Sequence, residues 1–281
     1  MTTLTAACVQ VNAGPDLGPN IDAALALGRE AAGRGADLVA FPENVAAMTF
    51  GREYVLARAR VEAEHPAIPA FQGLARETGA WVLAGTLAIR VEEERAANRA
   101  YLLDPDGNIA ATYDKIHMFD VDLGGGESYR ESDTMRPGEE AVVAETPWGG
   151  VGLTVCYDVR FPHLYRDLAR AGANILTIPA AFTRVTGEGH WHTLVRARAI
   201  ETGCFVLAPA QCGTHHRGRE TYGHSLIVDP WGTVLAEGAA EEPGVVTAEL
   251  DLDRVAEIRG KVPALWGDRQ YKPARRHAGA P

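Results

Sequence analysis

GADLVAFPE (35–43) and GANILTIPA (172–180) carry one pattern twice: a glycine, a small residue, an apolar run, a proline and one residue beyond it. A short apolar run bounded by Gly and Pro reads as a strand buried on both faces. Two further pairs keep the same order along the chain. ETGAWVLAG (77–85) matches ETGCFVLAP (201–209), and AYLLDPDGNIAATY (100–113) matches SLIVDPWGTVLAEG (225–238). The three offsets are 137, 124 and 125 residues. One such match is cheap, because the pattern is common. Three in the same order predict two similar halves, each a strand–helix–strand unit that closes with a hairpin. The period is too long for a solenoid.

Around these anchors, strand and helix signals alternate. LTAACVQV (4–11) reads as a buried strand, and apolar spacing from Asn20 to about Arg34 reads as a helix ending at glycines. Helices are expected over 52–61 and 67–78, and strands over 81–89 and 100–104. In the second half the expected elements are a strand at 150–156, a helix from Pro162 to Ala171, a strand at 174–179 and a helix over 188–202. Alternation of this kind predicts an α/β protein. Two such halves can stack their sheets face to face with helices outside, an α-β-β-α sandwich. The segment 115–149, with GGG at 124–126, reads as a long functional loop. No composition break marks a linker, so a single domain is expected over 1–260, with a partly extended tail over 261–281.

Composition bounds the function. The 281 residues are 46% hydrophobic and 23% charged, enough apolar content for a sizeable core. A formal net charge of −10 argues against a nucleic-acid partner, which needs a basic face. No apolar run is long enough to span a bilayer, and MTTLTAACVQVNAG (1–14) lacks the basic and apolar regions of a signal peptide. A cytoplasmic protein with no membrane partner is expected. Cys8, Cys156, Cys204 and Cys212 form no CxxC pair and fit a reducing compartment. Of 27 basic side chains only Lys115, Lys261 and Lys272 are lysines, so a lysine mid-chain raises the question of what a compact ammonium does there.

Three residues stand out as chemistry. Cys156 ends an apolar strand and precedes YDVRFP, where the chain turns before a helix. A nucleophile at such a turn is exposed above a sheet with backbone N–H groups nearby, although a free cysteine is more commonly a buried structural one. Glu43 occupies the strand end in the first half, where the second half has Ala180. The carboxylate is therefore not demanded by the scaffold; a helix-capping role is the competing reading. Lys115 lies just after a strand-like run, in YDKIHMFD, and would ordinarily be an exposed lysine.

FPEN (41–44), YDKIHMFD (113–120) and GLTVCYDVRFP (152–162) resemble, in order, the three signatures of the nitrilase, or carbon–nitrogen hydrolase, superfamily. The likeness runs nearly end to end, from AACVQ to RGKVPALW. It implies an α-β-β-α sandwich and a Glu-Lys-Cys triad at Glu43, Lys115 and Cys156. A second family glutamate precedes a serine after the lysine; Glu127 and Glu131 both fit, and spacing favours Glu131. The implied reaction is amide hydrolysis through a cysteine thioester. In it Glu43 moves the protons. Lys115 and the Tyr157 N–H hold the oxyanion. The resemblance implies no cofactor and no metal, and a homo-oligomer, dimer or larger, because the family packs sandwich against sandwich.

Tyr157–Asp158 stands where true nitrilases carry Trp–Glu, which points to amides. AF..VTGEGHW (181–191), RARAIET (196–202) and AQCGTHH…YGHS…DPWGTV (210–234) resemble the branch that hydrolyses deaminated glutathione, 2-oxoglutaramyl-Cys-Gly, to 2-oxoglutarate and Cys-Gly. The alternatives are an ω-amidase acting on 2-oxoglutaramate and an N-carbamoyl amide hydrolase; a non-enzymatic scaffold is the third, and the intact triad argues against it. Tyr157, Phe182, Thr186 and His190 are the expected substrate contacts. Arg184 and the His215–His216–Arg217 cluster are further candidates for holding an anionic small-molecule amide. His190 and His192 flank Trp191, but no nearby carboxylate or cysteine completes a ligand set and the segment reads as helical, so no metal site is expected. His215 and His216 read equally as solvated loop residues, Cys204 and Cys212 as small core residues, and Arg198–Glu201 as an intrahelical pair.

Overall fold

The computed structural model describes residues 2–124 and 127–272. The first half runs β1 (Thr3–Gln10), α1 (Leu17–Gly33), β2 (Leu38–Ala40), α2 (Arg52–Arg58), α3 (Ala67–Thr78), β3 (Trp81–Glu92), β4 (Arg95–Leu103) and β5 (Ile109–Asp114). A hairpin of β6 (Asp120–Gly124) and β7 (Glu127–Arg130) follows. The second half runs β8 (Val142–Thr146), β9 (Gly149–Leu153), α4 (Pro162–Arg170), β10 (Ala173–Thr177), α5 (Arg184–Thr202) and β11 (Phe205–Ala208). It continues through a small hairpin of β12 (Cys212–Thr214) and β13 (Glu220–Tyr222) to β14 (Leu226–Val228) and β15 (Val234–Glu237). β16 (Gly244–Asp251) then returns to the first half, and α6 (Asp253–Lys261) follows.

The repeat seen in the sequence is the architecture. One six-stranded sheet has the order β16-β1-β2-β3-β4-β5, the other β8-β9-β10-β11-β14-β15. In each, three central strands are parallel and the flanking strands antiparallel, position for position. Only the first edge strand differs in origin: β8 precedes its half, whereas β16 comes from the far end of the chain.

Side-chain alternation puts the layers together. Along β1, Leu4, Ala6 and Cys8 join a core shared with Leu153, Ile175 and Val206 of the other sheet. Ala7 and Val9 point the opposite way, onto Ile21 and Ala24 of α1 and Phe71 and Leu74 of α3. Each sheet thus has a sheet on one face and helices on the other, the α-β-β-α sandwich expected from the repeat. Burial on both faces explains why these strands are continuous apolar runs rather than alternating ones.

Four expectations about local structure change. The segment 115–149 is not one loop: it contains the β6–β7 hairpin, a short turn of helix at Glu131–Asp133, and β8. Exposed polar strands such as Asp120-Val121-Asp122 resemble loop in composition. Helix α5 starts at Arg184 rather than 188, capped by Thr183, because Gly187 and Gly189 weaken the helical signal of its first turns. β4 starts at Arg95 rather than 100, where small and charged residues hide a strand. Past residue 260, where a tail is expected, Leu265 is buried and Arg166 and Arg170 donate to the Asp268 carboxylate, while 273–281 of that tail lie outside the described residues.

Candidate active site

The ends of three strands carry the site. β2 runs through Phe41 and Pro42 into Glu43. Its exit is pinned by Phe41 N–H on the Leu83 carbonyl at 2.9 Å and Thr86 N–H on the Pro42 carbonyl at 3.3 Å. Gly85 permits that approach, since a Cβ there would lie 2.0 Å from the Pro42 oxygen and its φ is +66°. Gln211 donates to the Glu43 carbonyl at 2.9 Å from the opposite half. The Glu43 carboxylate is 4% exposed and fully engaged. Oε1 accepts from Asn98 Nδ2 at 2.8 Å and Lys115 Nζ at 3.0 Å, and Oε2 from the Ala181 N–H at 2.9 Å.

Lys115 follows β5 and is held there by its N–H on the Asn98 carbonyl at 3.0 Å. At 2% exposure it is far from the surface lysine that its residue type suggests. A buried ammonium requires charged partners. It has two: Glu43, and Glu131, whose oxygens lie 3.1 and 2.8 Å from Nζ. Glu131 is in turn fixed by the Phe119 N–H at 2.6 Å. Spacing had favoured Glu131 over Glu127; Glu131 stands in this network, while the side chain of Glu127 lies outside the described residues.

Cys156 opens a tight turn, Cys156–Arg160, with φ +47°, a left-handed conformation that costs a non-glycine residue on the order of 1–3 kcal/mol. Its N–H donates to the Pro179 carbonyl at 2.9 Å. Asp158 holds the turn in place. Fully buried, its carboxylate accepts from Val155 N–H at 2.9 Å, Tyr113 Oη at 2.8 Å and His117 N–H at 3.0 Å, with His117 Nδ1 at 2.7 Å. Asp158 therefore ties the cysteine turn to the residues on either side of Lys115. Arg198, beside its i,i+3 partner Glu201, adds a bond from Nε to the Val159 carbonyl at 2.8 Å.

The electrostatics set the resting charges. Burial pushes the Cys156 thiol well above its ordinary value and the Glu43 charge adds to this, while Lys115 opposes. Burial also raises Glu43, but the Lys115 ammonium, with hydrogen bonds from Cys156, Lys115 and Asn98, outweighs it and holds the carboxyl below its usual range. Burial disfavours the Lys115 charge, yet Glu131 and Glu43 more than offset this and hold it above the ordinary lysine value. The resting centre is a neutral thiol beside an ionised carboxylate and an ammonium.

This centre forms the floor of a cavity of about 410 Å³. Of the expected contacts, Tyr157, Phe182 and Thr186 line it and His190 does not. His190 lies four residues past Thr186 on α5, one turn further from the mouth of the helix. It is exposed there, 3.3 Å from the Arg160 guanidinium. Arg184 also points elsewhere, to Glu241 at 2.6 Å. His215 is not a solvated loop residue: it is buried, with Nδ1 2.9 Å from the Ala13 carbonyl and Nε2 2.7 Å from Thr221 Oγ1. His216 and Arg217 are exposed. Cys204 and Cys212 are buried on either side of β11. His192 meets a carboxylate from across the fold. It and His224 both approach Glu237 Oε1, at 3.0 and 2.7 Å, hydrogen-bond lengths that imidazole N–H groups satisfy alone. Sequence reasoning missed Asn98, Asp158 and Arg219. Nothing in the sequence marks the first, because the small and charged residues around it hide the strand that buries it.

A buried carboxylate–ammonium–thiol cluster under a cavity on an α-β-β-α sandwich defines a class. Residues 5–260 match the family model described as carbon-nitrogen hydrolase, and the chain belongs to that family of hydrolases acting on non-peptide C–N bonds. It is 41% identical over 269 residues to the deaminated glutathione amidase of Synechocystis sp., covering 94% of this chain and 98% of that one. It is 43% identical over 275 residues to the human deaminated glutathione amidase, covering 93% and 81%. Among solved structures, Saccharomyces cerevisiae Nit3, a member of branch 10 of the nitrilase superfamily, superposes with a TM-score of 0.84 at 28% identity. The match covers 93% of this chain and 95% of that one.

Proposed function

We propose that the protein is an amidase that cleaves a small linear amide through a thioester on Cys156, with deaminated glutathione as substrate. The observation that carries the reading is the meeting of Glu43, Lys115 and Cys156, which stand 41 residues or more apart in sequence, at one buried point. Glu43 accepts the thiol proton as sulfur attacks the amide carbonyl, forming a C–S bond. The thiol is neutral and the carboxylate ionised at rest, so the transfer is driven as charge develops on oxygen. Lys115 and the Tyr157 N–H take up that charge; N–H groups that open a helical turn have no partner within it. The C–N bond breaks as Glu43 returns its proton to the amine, here Cys-Gly, leaving a thioester. Water then replaces the amine: Glu43 removes its proton as the water oxygen bonds to the acyl carbon, the C–S bond breaks, Glu43 returns the proton to the sulfur, and 2-oxoglutarate leaves. Glu131 keeps Lys115 charged and aimed throughout.

The substrate assignment rests on likeness to the deaminated glutathione amidases, which extends across the segments that carry Phe182, Thr186 and the 210–234 string. Tyr157, Phe182 and Thr186 are the proposed wall contacts. A substrate panel read for both ammonia and Cys-Gly tests it. Release of Cys-Gly, with a 2-oxoglutaryl adduct on Cys156 by mass spectrometry, is expected. Ammonia from 2-oxoglutaramate alone would transfer the function to the ω-amidase reading, and carbon dioxide release to a carbamoyl amide hydrolase.

Two coarser readings belong with this one. Four free, buried cysteines support a reducing, cytoplasmic compartment, and no described helix is long and apolar enough to cross a membrane. Exposed Ile200 and Trp231, adjacent around Gly232, support a homo-oligomer, which sedimentation would measure directly.

A further inference from the structure

Four arginines line the cavity. Three are occupied elsewhere. Arg52 pairs with Glu94 at 2.8 Å, Arg58 leans toward Asp16 at 3.9 Å, and Arg130 donates to the carbonyls of Val121 and Tyr129 at 3.1 and 2.7 Å. Arg219 differs. Its guanidinium lies between the rings of Phe50 and Tyr129, 4.0 and 4.7 Å from their centroids. One terminal nitrogen donates to the Ala181 carbonyl at 3.0 Å, while Nε is buried without a hydrogen-bond partner. Among the described residues it makes no ion pair. A half-buried cation stacked on two rings, with its buried Nε short of an acceptor, is costly at rest, and the ligand that offsets the cost is an anion with oxygen acceptors.

Its position matters as much as its charge. Ala181 receives Arg219 on its carbonyl and holds Glu43 by its N–H, so the guanidinium and the carboxylate that faces the thiol are mounted on two ends of one residue. An anion reaching Arg219 lies within a few bonds of the reacting carbonyl. In a chain of net charge −10, with Glu43 and Glu131 beside the thiol, such a local cation is what would make an anionic amide acceptable. We propose that Arg219 binds a carboxylate of the substrate and selects anionic amides over neutral ones. This rests on the amidase reading above. A deaminated glutathione offers two carboxylates, that of the 2-oxo acid and that of the terminal glycine, with the same chemistry.

The test compares wild type, Arg219→Gln and Arg219→Lys on three substrates: 2-oxoglutaramate, its Cys-Gly amide, and a neutral amide of matching length. Iodoacetamide labelling of Cys156 and thermal melting check that the variants fold. The ratio of kcat/KM for anionic over neutral substrate should fall about tenfold to a hundredfold in Arg219→Gln, and less in Arg219→Lys. A fall for both anionic substrates assigns the 2-oxo carboxylate; a fall for the Cys-Gly amide alone assigns the glycine carboxylate. An unchanged ratio, including an equal loss on all three, overturns the proposal. If wild type cleaves only the neutral amide, the substrate reading fails separately. Competitive inhibition by glutarate then decides: weakening in Arg219→Gln sustains the anion site, and an unchanged inhibition constant removes it.

Discussion

The two halves of the sandwich share strand order, helix placement and even the Pro that ends the second parallel strand, yet they spend their strand ends differently. Where β2 exits into Glu43, β10 exits into Ala180. Where β5 is followed by Lys115, the aligned position after β15 is Ala240. The strand registers equate Cys8 with Leu153, so the counterpart of Cys156 is Val11. The first half supplies the charges and the second the sulfur, and each leaves the other's positions apolar. The scaffold thus provides backbone twice and chemistry once. Ala180 and Ala181 show why: the second half's strand end must stay small, because its main chain is what holds the Glu43 carboxylate.

That division can be broken most severely at the sulfur. Cys156→Ala should lower kcat on the order of ten-thousandfold or more while the fold persists. Adding Val11→Cys to it should restore nothing, since no carboxylate stands at position 180. Recovery of turnover in the double variant would mean that the halves are chemically interchangeable. Lys115→Gln comes next, with an expected loss of about 10²–10³ in kcat for a missing oxyanion donor. It also moves the pH profile. In the proposed mechanism Glu43 works ionised, and it is held below its ordinary 4.5, so the acid limb of wild type is expected below that value, with activity falling only as pH drops through it. Removing the ammonium takes away a cause of the lowering, so the limb shifts toward higher pH. A limb that stays put would detach Lys115 from Glu43.

Smaller effects sharpen the comparison. Asp158→Asn replaces an acceptor of four hydrogen-bond contacts that fastens the Cys156 turn to the Lys115 segment. It should cost about 2–3 kcal/mol in urea unfolding, with kcat reduced more than KM is raised. Unchanged stability would show that Tyr113 and His117 find other partners. Ala240→Lys is the control. Exposed and in the half without a carboxylate, it should stay within about 0.5 kcal/mol of wild type and leave kinetics untouched.

Much of this was legible in the residues. The paired strings gave the halves, because strands buried on both faces must be apolar and must stop at Gly or Pro, whichever half they occupy. Glu43 stood out by contrast with Ala180, Lys115 by its rarity, and Cys156 by its place at a strand-to-helix turn. His190 misled for a simple reason: helical spacing tells which face a residue shares, not how far along the axis the cavity extends. The 115–149 segment misled because exposed hairpin strands carry the composition of loop.

Sequence alone determined the repeat, the sandwich and the three candidate residues, since each follows from local pattern: burial, breakers, and the departure of one residue type from its surroundings. Tertiary structure decided which side chains serve them. Asn98, Asp158, Gln211 and Arg219 reach the centre across separations of 38 to 168 residues, in the contacts of Arg219 to Ala181, Tyr113 to Asp158, Asn98 to Glu43 and Gln211 to Glu43. Hydrogen bonds and ion pairs form between atoms a few ångströms apart, and only the folded chain says which distant atoms those are.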